Sequence, residues 1–196
     1  MAGDMKLIGL VGPLACGKGV VADYLIKQYG YVSFSLSFIV HDEVKKRGIA
    51  TYTRSILQDV GDDLRTKEGD GVLAKRALEY LKTKGTDKII IEGIRNPGEV
   101  EYLRTIPGFY LISVDALREL RYRRVIERGK PWDPKDWETF EAVDGRDSGD
   151  GDNHAGQQVR KCMELADAYI ENNNDLKQVY AEVEKIITSA KLNSAS

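Results

Sequence analysis

Residues 6–25 read Lys6-Leu-Ile-Gly-Leu-Val-Gly-Pro-Leu-Ala-Cys-Gly-Lys-Gly-Val-Val-Ala-Asp-Tyr-Leu25: an apolar run, a loop punctuated by glycine, then apolar residues at helical spacing. A strand that turns through Gly-x4-Gly-Lys into a helix is the pattern of a phosphate-binding loop. Gly12 and Gly17 let the backbone curl with its amides facing inward. The helix that follows offers unpaired N–H groups and a positive dipole end, and Lys18 can reach the β and γ phosphates of a nucleotide. The stretch Gly12, Pro13, Leu14, Ala15, Cys16, Gly17, Lys18, Gly19 and Val20 is therefore the expected cradle, with ATP as the expected phosphate donor.

Position 19 departs from the usual pattern. Most such loops carry Ser or Thr there, and its hydroxyl binds magnesium; Gly19 has no side chain to do so. Mg2+ is then expected to be held through water and the phosphates. The Gly-Lys-Gly form resembles that of adenylate kinase and some other nucleoside monophosphate kinases, although Val20 stands where adenylate kinases usually have Thr. The competing reading makes Gly19 the mark of a site that no longer catalyses.

With 196 residues, 42% of them hydrophobic, the chain suits one α/β domain with insertions rather than two domains. A net charge of −2 gives no global positive field, so neither nucleic acid nor an anionic membrane is an expected partner. Cys16 and Cys162 lack the spacing of zinc or redox motifs, and a reducing cytoplasm is the expected location. Oxidation of Cys16, inside the loop, would block a nucleotide; the plainer reading is a small residue that fits. The first apolar run is too short for a signal peptide or a membrane span. The final Lys191-Leu-Asn-Ser-Ala-Ser is expected to fray.

Strand-like runs occur at Lys6–Val11, Tyr31–Phe34, Lys88–Ile91, Phe109–Val114 and Ala168–Glu171, separated by segments with helical spacing. The continuous apolar runs Ile89-Ile-Ile and Tyr110-Leu-Ile suit central strands covered on both faces. The expected fold is a three-layer α/β/α phosphate-loop domain with a parallel sheet of about five strands. Its site belongs at the carboxyl ends of the strands. Residues 35–86 form an insertion expected to hold several helices over a phosphate acceptor. Ile56, Leu57, Val60 and Leu64 share one helical face, and Val72, Leu73, Ala77, Leu78 and Leu81 another. Residues 129–156, rich in Gly, Asp and Trp, form a second insertion expected to act as a lid with a mobile loop.

Several polar residues fall where chemistry is expected. Glu92 follows the third strand and can hold Mg2+ through water or take an acceptor's proton; Arg95 can clamp an acceptor phosphate. A surface Glu92–Arg95 ion pair is the plainer alternative. Arg121, Arg124 and Arg128 lie on one stripe of a helix over Leu117–Arg128, where a triphosphate would relieve their repulsion; Arg124 and Arg128 are the stronger candidates. Glu119 and Glu127 can instead serve as their surface partners. Arg54 and Arg65, within Thr53-Arg-Ser-Ile-Leu-Gln-Asp-Val-Gly-Asp-Asp-Leu-Arg, can bind the acceptor, and Asp42 can meet a sugar hydroxyl or act as a base. His41 and His154 have no neighbours at zinc-ligand spacing. Trp132 and Trp137 can stack on a base or anchor the lid helix. Asn173, in Asn172-Asn-Asn-Asp after the last strand, lies where adenine is expected to pass.

Taken together, Gly12-Pro-Leu-Ala-Cys-Gly-Lys-Gly, Ile89-Ile-Ile-Glu-Gly-Ile-Arg-Asn-Pro-Gly-Glu-Val-Glu-Tyr-Leu-Arg, the Ser113–Gly129 strand and arginine helix, and Gly156–Asn173 resemble the dephospho-CoA kinase and nucleoside monophosphate kinase branch of the phosphate-loop kinases, including adenylate-kinase-like proteins of archaea and bacteria. The Thr53–Arg65 segment is also similar to phage-type deoxynucleoside monophosphate kinases. The resemblance implies transfer of the γ-phosphoryl group of ATP to a small nucleotide acceptor: a nucleoside or deoxynucleoside monophosphate first, dephospho-CoA second. A monomer or homodimer is expected. The alternative from another class is an ATP-hydrolysing switch or assembly factor on the same core.

Overall fold

Five short apolar runs pair side by side, all parallel: β1 (Lys6–Val11), β2 (Val32–Ser35), β3 (Lys88–Glu92), β4 (Tyr110–Asp115) and β5 (Ala168–Glu171), in the order β2-β3-β1-β4-β5. The structure, a computed structural model, describes residues 6–86, 88–149 and 154–193, without the side chains of Lys6 and of 191–193. Because successive strand side chains point to opposite faces, the continuous apolar runs feed two cores at once. Leu7, Val11, Ile89, Ile91 and Leu111 enter one; Ile8, Leu10, Ile90, Ile112 and Val114 enter the other.

The second of these faces is covered by α1 (Lys18–Tyr29) and α9 (Leu176–Asn193), through Val21, Ala22, Leu25, Val179, Val183 and Ile187. The first is covered by α2 (Ser37–Lys46), α3 (Arg54–Glu68), α4 (Val72–Lys82), α5 (Pro97–Arg104) and α8 (Val159–Glu164). A third, small cluster joins Leu14 of the glycine loop to Val125 of α6 (Arg118–Arg128) and to Phe140 and Val143 of α7 (Trp137–Ser148). The helices α6 and α7 thereby close over the loop after β1.

Strand positions agree with the sequence reading to within one residue at each end, and the expected faces of α3 and α4 are buried. One expectation is corrected: α9 continues through Lys191, Leu192 and Asn193 instead of fraying there, and only residues 194–196 lie outside the described part. The loop expected in the second insertion falls on residues 150–153, also outside it. Among the described residues no helix is long and apolar enough to cross a membrane.

The helix starts differ in a way that matters. Thr53 caps α3, the Asn96 and Glu99 capping box with Pro97 opens α5, and Asp136 caps α7, whereas α1, like α2, α4, α6 and α8, begins with no side-chain cap, and its start at Gly17 is the one that directly follows the glycine loop. The first-turn amides of α1 are left for an anion. On either side of β1 the chain runs outward in opposite directions, so this helix start faces the crevice where sheets of this kind bind ligands.

Candidate active site

Close packing fixes the loop after β1. A side chain on Gly12, whose φ is +151°, would stand 1.9 Å from the Val114 carbonyl oxygen of β4. One on Gly17, at φ +103°, would stand 1.8 Å from Asn172 Nδ2. Ala15 adopts a left-handed φ of 60°, a conformation that non-glycine residues take up under local constraint. The Lys18 ammonium folds back across the loop, donating to the Gly12 carbonyl at 2.7 Å and the Pro13 carbonyl at 2.9 Å. Nothing lies within 4 Å of the place a Gly19 side chain would occupy, so packing does not demand glycine there. The consequence is chemical: position 19 has no oxygen for a metal.

Magnesium accordingly has no ready-made cage. Among the described residues no three His, Cys, Asp or Glu side chains converge as ligands. The donor set fits a metal carried by phosphates and water, with carboxylates acting at one remove. Glu92 ends β3 in register with Leu10 of β1, two residues before the loop. It accepts a hydrogen bond from Ser33 Oγ at 2.5 Å and forms no pair with Arg95.

The segment after β5 straps the loop from outside. Asn172, 2% exposed, donates from Nδ2 to the Cys16 carbonyl at 2.9 Å. Arg124 bridges the same two segments, reaching the Cys16 carbonyl at 3.3 Å and the Asn172 carbonyl at 3.1 Å. Arg124 is thus at the phosphate loop, as expected for its stripe of α6. Its two neighbours are not available. Arg121 is buried and forks onto Asp144 of α7, with Nη2 to Oδ2 at 2.8 Å, over the ring of Phe140. Arg128 forks onto Asp133 at 2.7 and 2.9 Å and leaves the loop alone. Their partners are these two aspartates rather than Glu119 or Glu127. Asn173 holds the Leu117 amide at 2.7 Å, tying the start of α6 to the segment after β5.

On the other side of β1, helices α2 and α3 and the segment after β3 enclose a cleft of about 100 Å³. Arg54, Arg65, Arg95 and Lys130 line it, and among the described residues no carboxylate does. Behind this wall stands Asp147 of α7, its side chain 2% exposed, 3.6 Å from Arg54 and 3.9 Å from Arg95, and accepting from Gln58 Nε2 at 2.6 Å. Burial alone would raise the Asp147 carboxyl, but Arg54, Arg95, Gln58 and Lys18 hold it below the usual carboxylate range. Burial and the like charge of Arg54 lower the Arg95 guanidinium to about 10, which leaves it charged at neutral pH. Among the described residues, Arg54 makes no hydrogen bond, and the Arg95 side chain makes one, a 3.3 Å contact to the Gly93 carbonyl. The forks of both therefore remain open to a ligand.

Arg65 differs from its expected role. Its side chain, 1% exposed, donates to Glu99 at 2.8 and 3.0 Å, and Glu99 in turn caps α5 through the Arg95 and Asn96 amides. It supports the wall instead of offering its donors. Asp42 also lies apart from the cleft, paired with Lys46 at 2.7 Å on the rim of an open depression of about 680 Å³. His41 borders both cavities. It shares a 3.0 Å hydrogen bond with Tyr52 and packs on Trp132, while Trp137 packs on Tyr122 and Phe140 to hold α7 against α6.

Sequence reading missed Asp147 and Lys130. One signal was present for the first. Asp144 and Asp147 continue the helical spacing of Phe140 and Val143, so two carboxylates stand on the buried face of a helix and must find cations there.

The sequence pattern of the AAA domain family matches residues 8–147. A UPF0200 protein of Methanothrix thermoacetophila is 35% identical over 145 residues, covering 74% of this chain and 78% of its own. Another UPF0200 protein, from Methanothermobacter thermautotrophicus, is 28% identical over 185 residues, covering 94% and 90%. In three dimensions the chain is similar to an Acinetobacter baumannii shikimate kinase solved with shikimate, at a TM-score of 0.58 and 20% identity over 96% of each chain. That likeness is one of fold, and it places the architecture among kinase-like phosphate-loop proteins. With its glycine loop, five-stranded parallel sheet and closing helices, the chain belongs to the UPF0200 family, built on a phosphate-loop AAA domain.

Proposed function

We propose that the chain is an ATP-dependent phosphotransferase that moves the γ-phosphoryl group to a small nucleotide-type acceptor, a nucleoside or deoxynucleoside monophosphate before dephospho-CoA. The observation that carries this reading is the cleft beside the phosphate loop, lined among the described residues by four cations and no carboxylate, with the forks of Arg54 and Arg95 unspent. A guanidinium fork matches a phosphate monoester, and two of them around an enclosed space select for an anionic end group. His41 and Trp132 line the cleft, and Tyr52 stacks on Trp132 at an interplanar angle of 24°, so an aromatic face is at hand for the planar part of a nucleotide.

In this reading the uncapped start of α1 and Lys18 bind the phosphates of ATP, and Arg124 holds the loop in its curled form. Bound magnesium supplies neutralisation of phosphate charge during transfer. Glu92 orders the water around it, since position 19 cannot. Arg54 and Arg95 orient the acceptor, so that rate enhancement comes mostly from positioning. Helix α7, docked over the loop through Leu14, Phe140 and Val143, keeps water out.

The test is magnesium-dependent ADP formation from ATP against a panel of nucleoside monophosphates, deoxynucleoside monophosphates and dephospho-CoA, with Lys18→Ala as the blank. One acceptor is expected to raise the rate well above the background without acceptor. An equal, slow rate whatever is added would replace the kinase reading with the ATP-hydrolysing switch.

A further inference from the structure

Asp147 raises a question that a phosphate-transfer site does not by itself require. It is a carboxylate placed against the two arginines meant for an anionic substrate, and it is supplied by α7 rather than by the sheet edge or the acceptor-side helices. Its separations of 3.6 and 3.9 Å neutralise charge without engaging either fork. Asp144, one helical turn away on the same α7, and Arg121 of α6 show how this protein builds a permanent pair: a full fork onto both carboxylate oxygens. Asp147 instead has its one close hydrogen bond from Gln58, itself a cleft residue 1% exposed.

Lys130 also lines the cleft, so Arg54, Arg95 and Lys130 set against Asp147 leave two positive charges, enough to balance a phosphate dianion as a whole. The conflict is local. An anion that engages the forks of Arg54 and Arg95 draws them from the carboxylate 3.6 and 3.9 Å away and is repelled by that like charge. The incoming anion and Asp147 therefore compete for the arginine pair.

We propose that Asp147 is a built-in stand-in for the acceptor's dianionic group, neutralising Arg54 and Arg95 while the cleft is empty and yielding them when a phosphate enters, so that acceptor binding loosens α7. The inference rests on the acceptor-cleft reading above but not on catalysis. It makes α7 a sensor of the acceptor.

The test uses the full chain without ATP and inorganic phosphate at pH 8 as the probe, followed by calorimetry. Asp147→Asn keeps the shape and the bond from Gln58 while removing the charge. It is expected to bind phosphate about tenfold more tightly than the parent, the size of effect one neighbouring charge has on another. Arg95→Gln should weaken binding in both backgrounds. Equal or weaker binding by Asp147→Asn would overturn the proposal, because it would mean that the carboxylate merely holds the arginines in place. A second measurement needs no variant: hydrogen exchange of the α7 amides in the parent should speed up at saturating phosphate, and unchanged or slower exchange would overturn it. Phosphate binding that behaves as expected in a protein that phosphorylates no acceptor would leave the stand-in intact and sink the kinase reading. No phosphate binding by parent or variant, with Arg95→Gln indifferent, would sink both.

Discussion

The arginines of this molecule fall into two groups that sequence alone does not separate. Arg121 and Arg128 fork onto both oxygens of Asp144 and Asp133, and Arg65 places two donors on one oxygen of Glu99. Arg54 and Arg95 are faced at 3.6 and 3.9 Å by one shared carboxylate and keep their donors. The first group serves as struts between elements: Arg65 ties α3 to α5, and Arg121 ties α6 to α7. The second group is charged, buried in part and left incomplete. Incompleteness is costly in a folded protein, and its concentration in one cleft is what distinguishes a binding site from a scaffold.

The contrast can be tested by removing members of each group. The largest effect on folding is expected from Arg121→Gln, which leaves the buried Asp144 carboxylate only its 3.5 Å ion pair with half-exposed Arg118; about 3 kcal/mol should be lost in chemical denaturation. Arg121→Met with Asp144→Leu should recover most of that loss, since both charges leave together. A double variant as unstable as the single one would show that the pair does more than neutralise itself. Next in size, Arg95→Gln should weaken acceptor or phosphate binding by roughly 10- to 100-fold, the worth of a charged hydrogen-bonding group, with little change in melting temperature. A melting loss as large as that of Arg121→Gln would place Arg95 among the struts. Arg128→Gln should cost about 1.5 kcal/mol through the lost bonds to Asp133 and leave phosphate transfer intact. A collapse of the rate constant there would return Arg128 to the transferring group.

The smallest expected effect is one of pH. Burial, with Arg54 and Lys130 close by, lowers His41 below its ordinary 6.5. The unfolded chain then takes up a proton before the folded one does, so the stability His41 contributes is present above pH 6.5 and is lost as pH falls through its folded value. Melting temperatures between pH about 7 and 5 should decline less steeply in His41→Gln than in the parent. Identical slopes would mean that the positive charges around the cleft are screened from His41.

Much of the fold was legible because its signals are local. The strand, glycine loop and helix of residues 6–25 specify themselves, and Ile89 to Ile91 mark a strand covered on both faces without reference to anything distant. The helical insertion showed its buried faces by spacing alone. The candidate site was legible only in part, because its decisive facts are pairings across the chain. Arg124 and Arg128 are four residues apart on one helix, yet one meets the loop and the other meets Asp133 in a Pro-bounded turn. Arg65 and Arg54 lie on the same helix, and only the partner from α5 shows that one of them is already spent. Gln58 and Asp147 are 89 residues apart, and nothing in either neighbourhood announces the other.

The strap that Asn172 places on Cys16 joins residues 156 positions apart and lies beyond the 8–147 stretch that marks the family. During synthesis the segment that holds the curl is made about 156 residues after the glycine loop itself. At roughly 5–20 residues per second that interval is on the order of ten to thirty seconds. For that time the nascent chain carries the sequence of a nucleotide site without its finished shape. The loop reaches its finished curl only in chains that have been made past β5.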